Sequence, residues 1–370
     1  SLVGSEMCIR DSPASEPTPS TSSPTSEMKG IVGLRNLGNT CYANAAVQAL
    51  RQLTELTYLC LAENSELQKK HTNASGAVFD AYVDLIKTMW SAYHPAFISP
   101  DAFRRDVLQA ATTFGYDHFC DRTPQDAHEF LMFLLDQMFE GTKETVNFVI
   151  QRPEDKTANE KRIRSALESW KQQFEKQYTP LVDICYGLME METECQTCKT
   201  KTYRYETFNT MKVSMPHHLK DGKIPTLFDL LHDELKEETI EGYHCDTCSP
   251  QRTTAKRFPH IWRLPRCFIV VLKRFTPDGR KIHTNWTCND EPLNFKEYFS
   301  EASPERSKDF QYSLQSIVDH HGSSFGGHYT AQGKNPLNGK WFLYDDETAI
   351  AIEKPSTGPS SYILMFRAQS

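Results

Sequence analysis

The sequence predicts an α+β chain organised around one cysteine, and three observations carry that expectation. Apolar residues recur at helical spacing up to about residue 140. From about residue 183 the pattern changes to alternating side chains rich in β-branched and aromatic residues, which reads as strands. A cysteine at a helix start in the first part is matched, in the second, by a glycine-flanked histidine and a carboxylate that follow strand-like runs.

The first of these is Gly33-Leu34-Arg35-Asn36-Leu37-Gly38-Asn39-Thr40-Cys41, a Gly/Asn-rich turn leading into a helix with Ala46, Val47 and Leu50 on one side. Cys41 at the junction would lie beside inward-pointing N–H groups and the positive end of the helix dipole, which favour thiolate over thiol. The Asn36 side-chain amide is a candidate donor to a developing oxyanion. Further helices are expected over residues 76–90, after the Ser99-Pro100-Asp101 cap, and after Thr123-Pro124-Gln125-Asp126, where Phe130, Leu131, Leu134, Leu135 and Met138 form the buried stripe. Residues 141–180 are charged and carry one more helix, around 161–176.

In the strand-rich part, Cys195-Gln196-Thr197-Cys198 and Cys245-Asp246-Thr247-Cys248 are two matching knuckles. Each turn aims two thiolates at one point, so together Cys195, Cys198, Cys245 and Cys248 make a closed tetrahedral site for a structural Zn²⁺. The run from Cys267 to Leu272 is continuously apolar and reads as a central strand covered on both faces, with Cys267 a packing thiol. Strands are then expected over 312–318, 328–332, 341–344 and 362–366. If the middle two are antiparallel neighbours, His328 lies close to Asp345, which supplies a base and the group that orients it. Asp346 competes with Asp345 for that role. His320 and His321 precede a Gly/Ser loop and are read as wall residues.

Composition narrows the field. A net charge of −7 over 370 residues gives no electrostatic case for nucleic acid. Eleven cysteines, an odd number in a long chain with two Cys-x-x-Cys pairs, suit a reducing, intracellular compartment, cytoplasmic or nuclear. No apolar run reaches transmembrane length, so a soluble chain is expected. Residues 1–29 are rich in Ser, Pro, Thr and Glu and read as a disordered tail.

Residues 33–50, Gly326-Gly327-His328-Tyr329, Thr123 to Leu131, the two Cys-x-x-Cys pairs and Leu264-Pro265 running into Val271-Leu272-Lys273-Arg274-Phe275 occur in one order. In that order the chain resembles the ubiquitin-specific proteases, papain-like cysteine peptidases, from about Lys29 onward. The resemblance implies a catalytic domain over 30–370, with a helical thumb (about 30–180), zinc-ribbon fingers (about 185–262) and an antiparallel β palm (about 263–370). It implies hydrolysis of the bond after the C-terminal glycine of ubiquitin. Cys41 would be the nucleophile, His328 the base and acid, Asp345 its partner, Asn36 the oxyanion donor and Asp346 an auxiliary. Gln125 would line the cleft, and Gly326 and Gly327, with the loop over 277–286, would wall a channel too narrow for a side chain. Ubiquitin and ubiquitinated proteins are the implied partners of a monomer open to a regulatory protein. Ala43, Ala45 and Thr123-Pro124 depart from the common family pattern without removing a catalytic group. Two rival readings are a non-catalytic ubiquitin-binding scaffold and a peptidase for another ubiquitin-like modifier.

Overall fold

The computed structural model describes residues 29–62, 67, 73–150, 156–288, 292–308, 310–323 and 326–369. The expected tail over 1–29 lies outside the described residues except for Lys29, as does Asn289 beyond the expected channel loop. The first part is helical, as its periodicity predicts. After the short β1 (Gly33–Leu34) come α1 (Cys41–Leu50), α2 (Thr54–Leu61) and α3 (Ala74–Met89). Then follow β2 (Phe97–Ile98), α4 (Asp101–Phe114), α5 (Ala127–Thr142), α6 (Ala158–Phe174) and α7 (Pro180–Cys185).

Local chemistry explains these boundaries. The Asp126 carboxylate accepts from the Glu129 N–H at 2.9 Å and so caps α5. Thr157 and Glu160 cap α6 reciprocally. At α4 the cap falls on Pro100, one residue later than the expected Ser99, and no side chain bonds there; Gly115 closes this helix at φ 80°. Phe130, Leu131, Leu134, Leu135 and Met138 are buried, as the α5 stripe requires.

The second part supplies two sheets. β3 (Gly187–Cys195), β4 (Lys201–Phe208), β6 (Glu238–His244) and β7 (Arg252–Arg263) form a four-stranded antiparallel sheet in the order β4-β3-β7-β6. Because β3 and β7 run antiparallel, the β3–β4 and β6–β7 turns emerge at the same end of this sheet. Each turn carries one cysteine pair.

The larger sheet has eight strands. It is made of β5 (Thr210–Ser214), β8 (Cys267–Lys273), β9 (Leu293–Asn294), β10 (Gln311–Ser323), β11 (Gly326–Lys334), β12 (Trp341–Asp345), β13 (Thr348–Ile352) and β14 (Ser361–Gln369). Its main order is β13-β12-β11-β10-β14-β8-β5, with β9 on β10. It is antiparallel except that β5 pairs with β8 in parallel. In this part β9, β13 and α8 (Leu227–Glu234), which a Thr226–Asp229 capping box starts, have no counterpart in the sequence analysis.

β8 is central and covered on both faces, as its unbroken apolar run predicts. Cys267, Ile269 and Val271 join the core shared with the helices, whereas Phe268, Val270 and Leu272 face a second core that includes Leu230, Phe295, Tyr312 and Phe366. Fully burying a side chain of this size contributes about 2–3 kcal/mol. On the first face α1 lies across β10 and β11, and the Ser316 hydroxyl donates to Ala49 O at 2.9 Å. That packing brings the start of α1 to the strands carrying His328 and Asp345.

Candidate active site

Cys41 is the first residue of α1 and is 5 % exposed. The turn before it is built by Asn36, whose Oδ1 accepts from the N–H groups of Gly38 (3.0 Å) and Thr40 (3.1 Å). Gly38 at φ 100° and Asn39 at φ 53° supply the left-handed conformations that this turn needs. The backbone N–H of Tyr329, that of Tyr42 and Cys41's own point at the sulfur and lower its pKa. Burial outweighs them, with the nearby Asp346 charge adding to it, so the thiol is pushed above its ordinary 9.0. Loss of water thus acts against the dipole at this sulfur.

His328 lies on β11, and its Nε2 meets Asp345 Oδ1, at the end of β12, at 2.6 Å. Both side chains are near half exposed, 42 % and 48 %. Nδ1 is the ring nitrogen that Asp345 does not engage. The next residue, Tyr329, is the one whose N–H reaches the Cys41 sulfur, which brings the strand carrying His328 against the start of α1.

Asp346 sits one residue on, at φ 44°, in the turn between β12 and β13. Its Oδ2 accepts from Asn36 Nδ2 at 2.9 Å and its Oδ1 from Asn44 Nδ2 at 2.8 Å. Leu34 N–H donates to its main-chain O at 2.7 Å. Gly33 makes this approach possible: a Cβ there would lie 2.2 Å from Glu347 O and 2.8 Å from Asp346 O. Asn44 has no counterpart in the sequence analysis; it is an amide one helical turn after Cys41, on a helix that buries one further amide, Gln48.

The remaining expected site residues fall around this centre. Gln125 donates from Nε2 to His118 O (2.9 Å) and Thr123 Oγ1 (2.8 Å), which holds its amide within its own loop. Gly326 and Gly327 open β11. A Cβ on Gly326 meets only open space, whereas one on Gly327 would lie 2.2 Å from His321 O and 2.5 Å from His320 Nε2. His320 packs against Phe275 and Tyr329, and its Nδ1 lies 3.1 Å from Lys281 Nζ, which also donates to its carbonyl. Burial first, then the Lys281 charge, pushes its pKa down to about 4. Beside it the buried Arg274 donates to the carbonyls of Ile282 (2.9 Å), Thr284 (3.1 Å) and Gly358 (2.7 Å), pinning the loop over 277–286 to the end of the large sheet.

The four cysteines of the knuckles converge, and their sulfurs all lie within 4.8 Å of one another. The Cys198–Cys245 and Cys195–Cys248 sulfurs are 3.5 and 3.9 Å apart. A tetrahedron with bonds of ~2.3 Å to sulfur has edges of ~3.8 Å, so the spacing fits a four-thiolate metal ion. The Cys198 N–H and the Thr253 hydroxyl lower the Cys195 thiol, while Cys248, coupled to the same cluster, is raised by its neighbouring sulfurs. All ten cysteines among the described residues are free of disulfides.

Residues 32–366 match the family model described as ubiquitin carboxyl-terminal hydrolase. The chain belongs to this family. It is similar to ubiquitin carboxyl-terminal hydrolase 2 of Bos taurus (28 % identity, 91 % of this chain, 55 % of the relative). A similar match is ubiquitin carboxyl-terminal hydrolase 21 of Homo sapiens (25 %, with 91 % and 61 % covered). The chain spans about half the length of the first of these relatives. Among solved structures, the SAGA Ubp8/Sgf11/Sus1/Sgf73 DUB module bound to ubiquitin aldehyde superposes with a TM-score of 0.70 at 22 % identity, covering 93 % of this chain and 71 % of that one. The family fold is thus shared over nearly the whole described chain. No helix among the described residues is long and apolar enough to cross a membrane.

Proposed function

We propose that this member of the ubiquitin carboxyl-terminal hydrolase family is a thiol-dependent deubiquitinase. The carrying observation is the His328–Asp345 bond of 2.6 Å on the strand whose next N–H meets the Cys41 sulfur. Asp345 fixes the imidazole so that Nδ1 faces the thiol. His328 removes the Cys41 proton as the sulfur attacks the carbonyl of the ubiquitin C-terminal glycine. It then protonates the departing amine, and finally activates the water that hydrolyses the thioester. A thiol kept neutral at rest suits this order, since His328 generates the thiolate only when substrate is in place.

The Cys41 N–H and the Asn36 amide form the oxyanion site, each such donor being worth about 3 kcal/mol of barrier. Asp346, gripped by Asn36 and Asn44, sets the angle of that amide. Gln125 lines the cleft, and Gly326 and Gly327 with the loop over 277–286 wall the channel for a glycine tail. Cys195, Cys198, Cys245 and Cys248 hold a structural Zn²⁺, which ties together the tips of two hairpins. The lobes are a thumb (30–180), fingers (185–262) and palm (263–370). Ubiquitin and its conjugates are the substrates. A protein partner is supported by the multi-subunit assemblies in which the structural neighbours are found. The odd count of eleven cysteines with two Cys-x-x-Cys pairs supports a reducing, intracellular setting, and the net charge of −7 supports a monomer that does not act on nucleic acid.

The test is a ubiquitin carrying a C-terminal electrophile. Wild type forms one covalent adduct, mapped to Cys41, and Cys41→Ser forms none while keeping its far-UV spectrum. An adduct on the exposed Cys120 instead, or none, ends the proposal; preference for another modifier in a parallel panel redirects it.

A further inference from the structure

The large sheet ends at β13, whose sequence Thr348-Ala349-Ile350-Ala351-Ile352 has no charge, no proline and no bulge, and which no described strand pairs on its outer side. Ile350 is 57 % exposed and Ala351 is exposed as well. Asp345 and Thr348 close a hairpin with a two-residue turn, so they form a hydrogen-bonded pair, as do Leu343–Ile350 and Trp341–Ile352. The N–H and C=O groups of Ala349 and Ala351 consequently point away from the sheet. Natural edges are normally blunted by charge, proline or a bulge. This one keeps an open main-chain ladder with β-branched side chains.

We infer that the outer edge of β13 docks an extended peptide segment of a partner protein by strand addition. The segment has alternating apolar side chains and a Lys or Arg at the end beside the Asp346–Glu347 turn. Main-chain pairing with Ala349 and Ala351 supplies affinity, and the side chains flanking Ile350 select the apolar positions. Charge sets the direction. The turn end holds Asp345, Asp346 and Glu347 against Arg35, which pairs with Glu347 at 3.2 Å. The far end holds Glu353 between Lys340 and Lys354. β1 meets the strand at its turn end, through Leu34 N–H to Asp346 O, and leaves the Ala351 end open.

A second copy of this chain is the weaker occupant. Antiparallel pairing centred on Ile350 would set Glu347 opposite Glu353 twice. Two rigid sheets meeting along five residues also bury far less than the roughly 1,200 Å² of a stable interface. A peptide can follow the twist and cover both faces of the edge.

The test selects a displayed library of random 12-residue peptides on wild type, then measures synthetic copies of the enriched clones against Ala351→Pro and Ala351→Val. Proline removes the outward N–H without touching the ladder to β12, and valine restores it. Enriched peptides are expected to alternate apolar residues and to carry Lys or Arg at one end. They should bind Ala351→Pro at least tenfold more weakly, Ala351→Val like wild type, and Glu347→Lys more weakly than wild type. Equal binding to Ala351→Pro, or enrichment of acidic peptides, overturns the inference. So does a wild-type dimer in sedimentation that Ala351→Pro dissolves, since the occupant is then a second copy.

Discussion

The Tyr362 hydroxyl, on the last strand of the large sheet, donates to Asp126 Oδ2 at 2.8 Å, while Oδ1 of the same carboxylate caps α5. One carboxylate therefore joins the helical lobe to the sheet. The Tyr329 hydroxyl adds a second tie by accepting the Ala127 N–H at the start of the same helix. Tyr329 follows His328 in the chain, so these ties set how far the imidazole strand sits from the Cys41 helix. Tyr362→Phe keeps the ring and the cap but removes one tie. It should lower stability by about 1 kcal/mol. Turnover of a fluorogenic ubiquitin substrate should fall severalfold in kcat with KM unchanged, and an equal change in both would point to lost substrate binding instead.

Gly33→Ala drives a methyl into Glu347 O and Asp346 O. The turn has to move, and with it the carboxylate held by Asn36 and Asn44. Overpacking of this kind costs about 1–3 kcal/mol. The expected result is a lowered melting temperature together with a loss of turnover larger than that from Ala43→Ser, which touches neither contact.

Burial holds the Cys41 thiol above 9.0 in the free protein. Its alkylation by iodoacetamide should therefore climb with pH through neutrality and continue to rise past 9, with no plateau at lower pH. A plateau beginning near pH 6 would reveal a resting thiolate and rule out the neutral-thiol order of steps.

His320 is buried with its pKa lowered to about 4, so the folded state resists its protonation. The unfolded chain takes up that proton near pH 6.5, and binding more protons than the folded state, it gains as pH falls. Stability is thus complete above about 6.5 and drains away down to about 4, by on the order of 3 kcal/mol from this group. Urea titrations across that window should show a flatter acid limb for His320→Gln than for wild type.

Removing metal should act locally first. The four-stranded sheet has thin packing at the end where Cys195, Cys198, Cys245 and Cys248 meet, so a chelator should release about one zinc ion per chain. Proteolysis should then begin near the two knuckles. Cys198→Ser should show the same cleavage pattern without chelator, and folded, reduced wild type free of zinc would refute the assignment.

What the sequence made legible was whatever depends on neighbours along the chain. The α5 stripe, the unbroken β8 run, the glycine-flanked His328 and the paired Cys-x-x-Cys turns each announce themselves within about a dozen residues. The partners that meet across the chain did not. Asn44 reaches Asp346 over 302 positions, and no local pattern marks the two as partners. β13 escaped notice because it is five residues long and follows a turn without glycine, Asp346 taking the left-handed conformation itself. The helix start at Cys41 is visible in sequence, whereas the burial that pushes its thiol up is not.

The grip of Asn36 on Asp346 spans 310 positions. During synthesis, the nucleophile's helix leaves the ribosome long before the residues that complete its surroundings exist. Until β12 and its turn have emerged and docked, the sulfur has neither imidazole nor aligned amide beside it. The arrangement around Cys41 is therefore acquired only once residues 341–346 have been made and have docked.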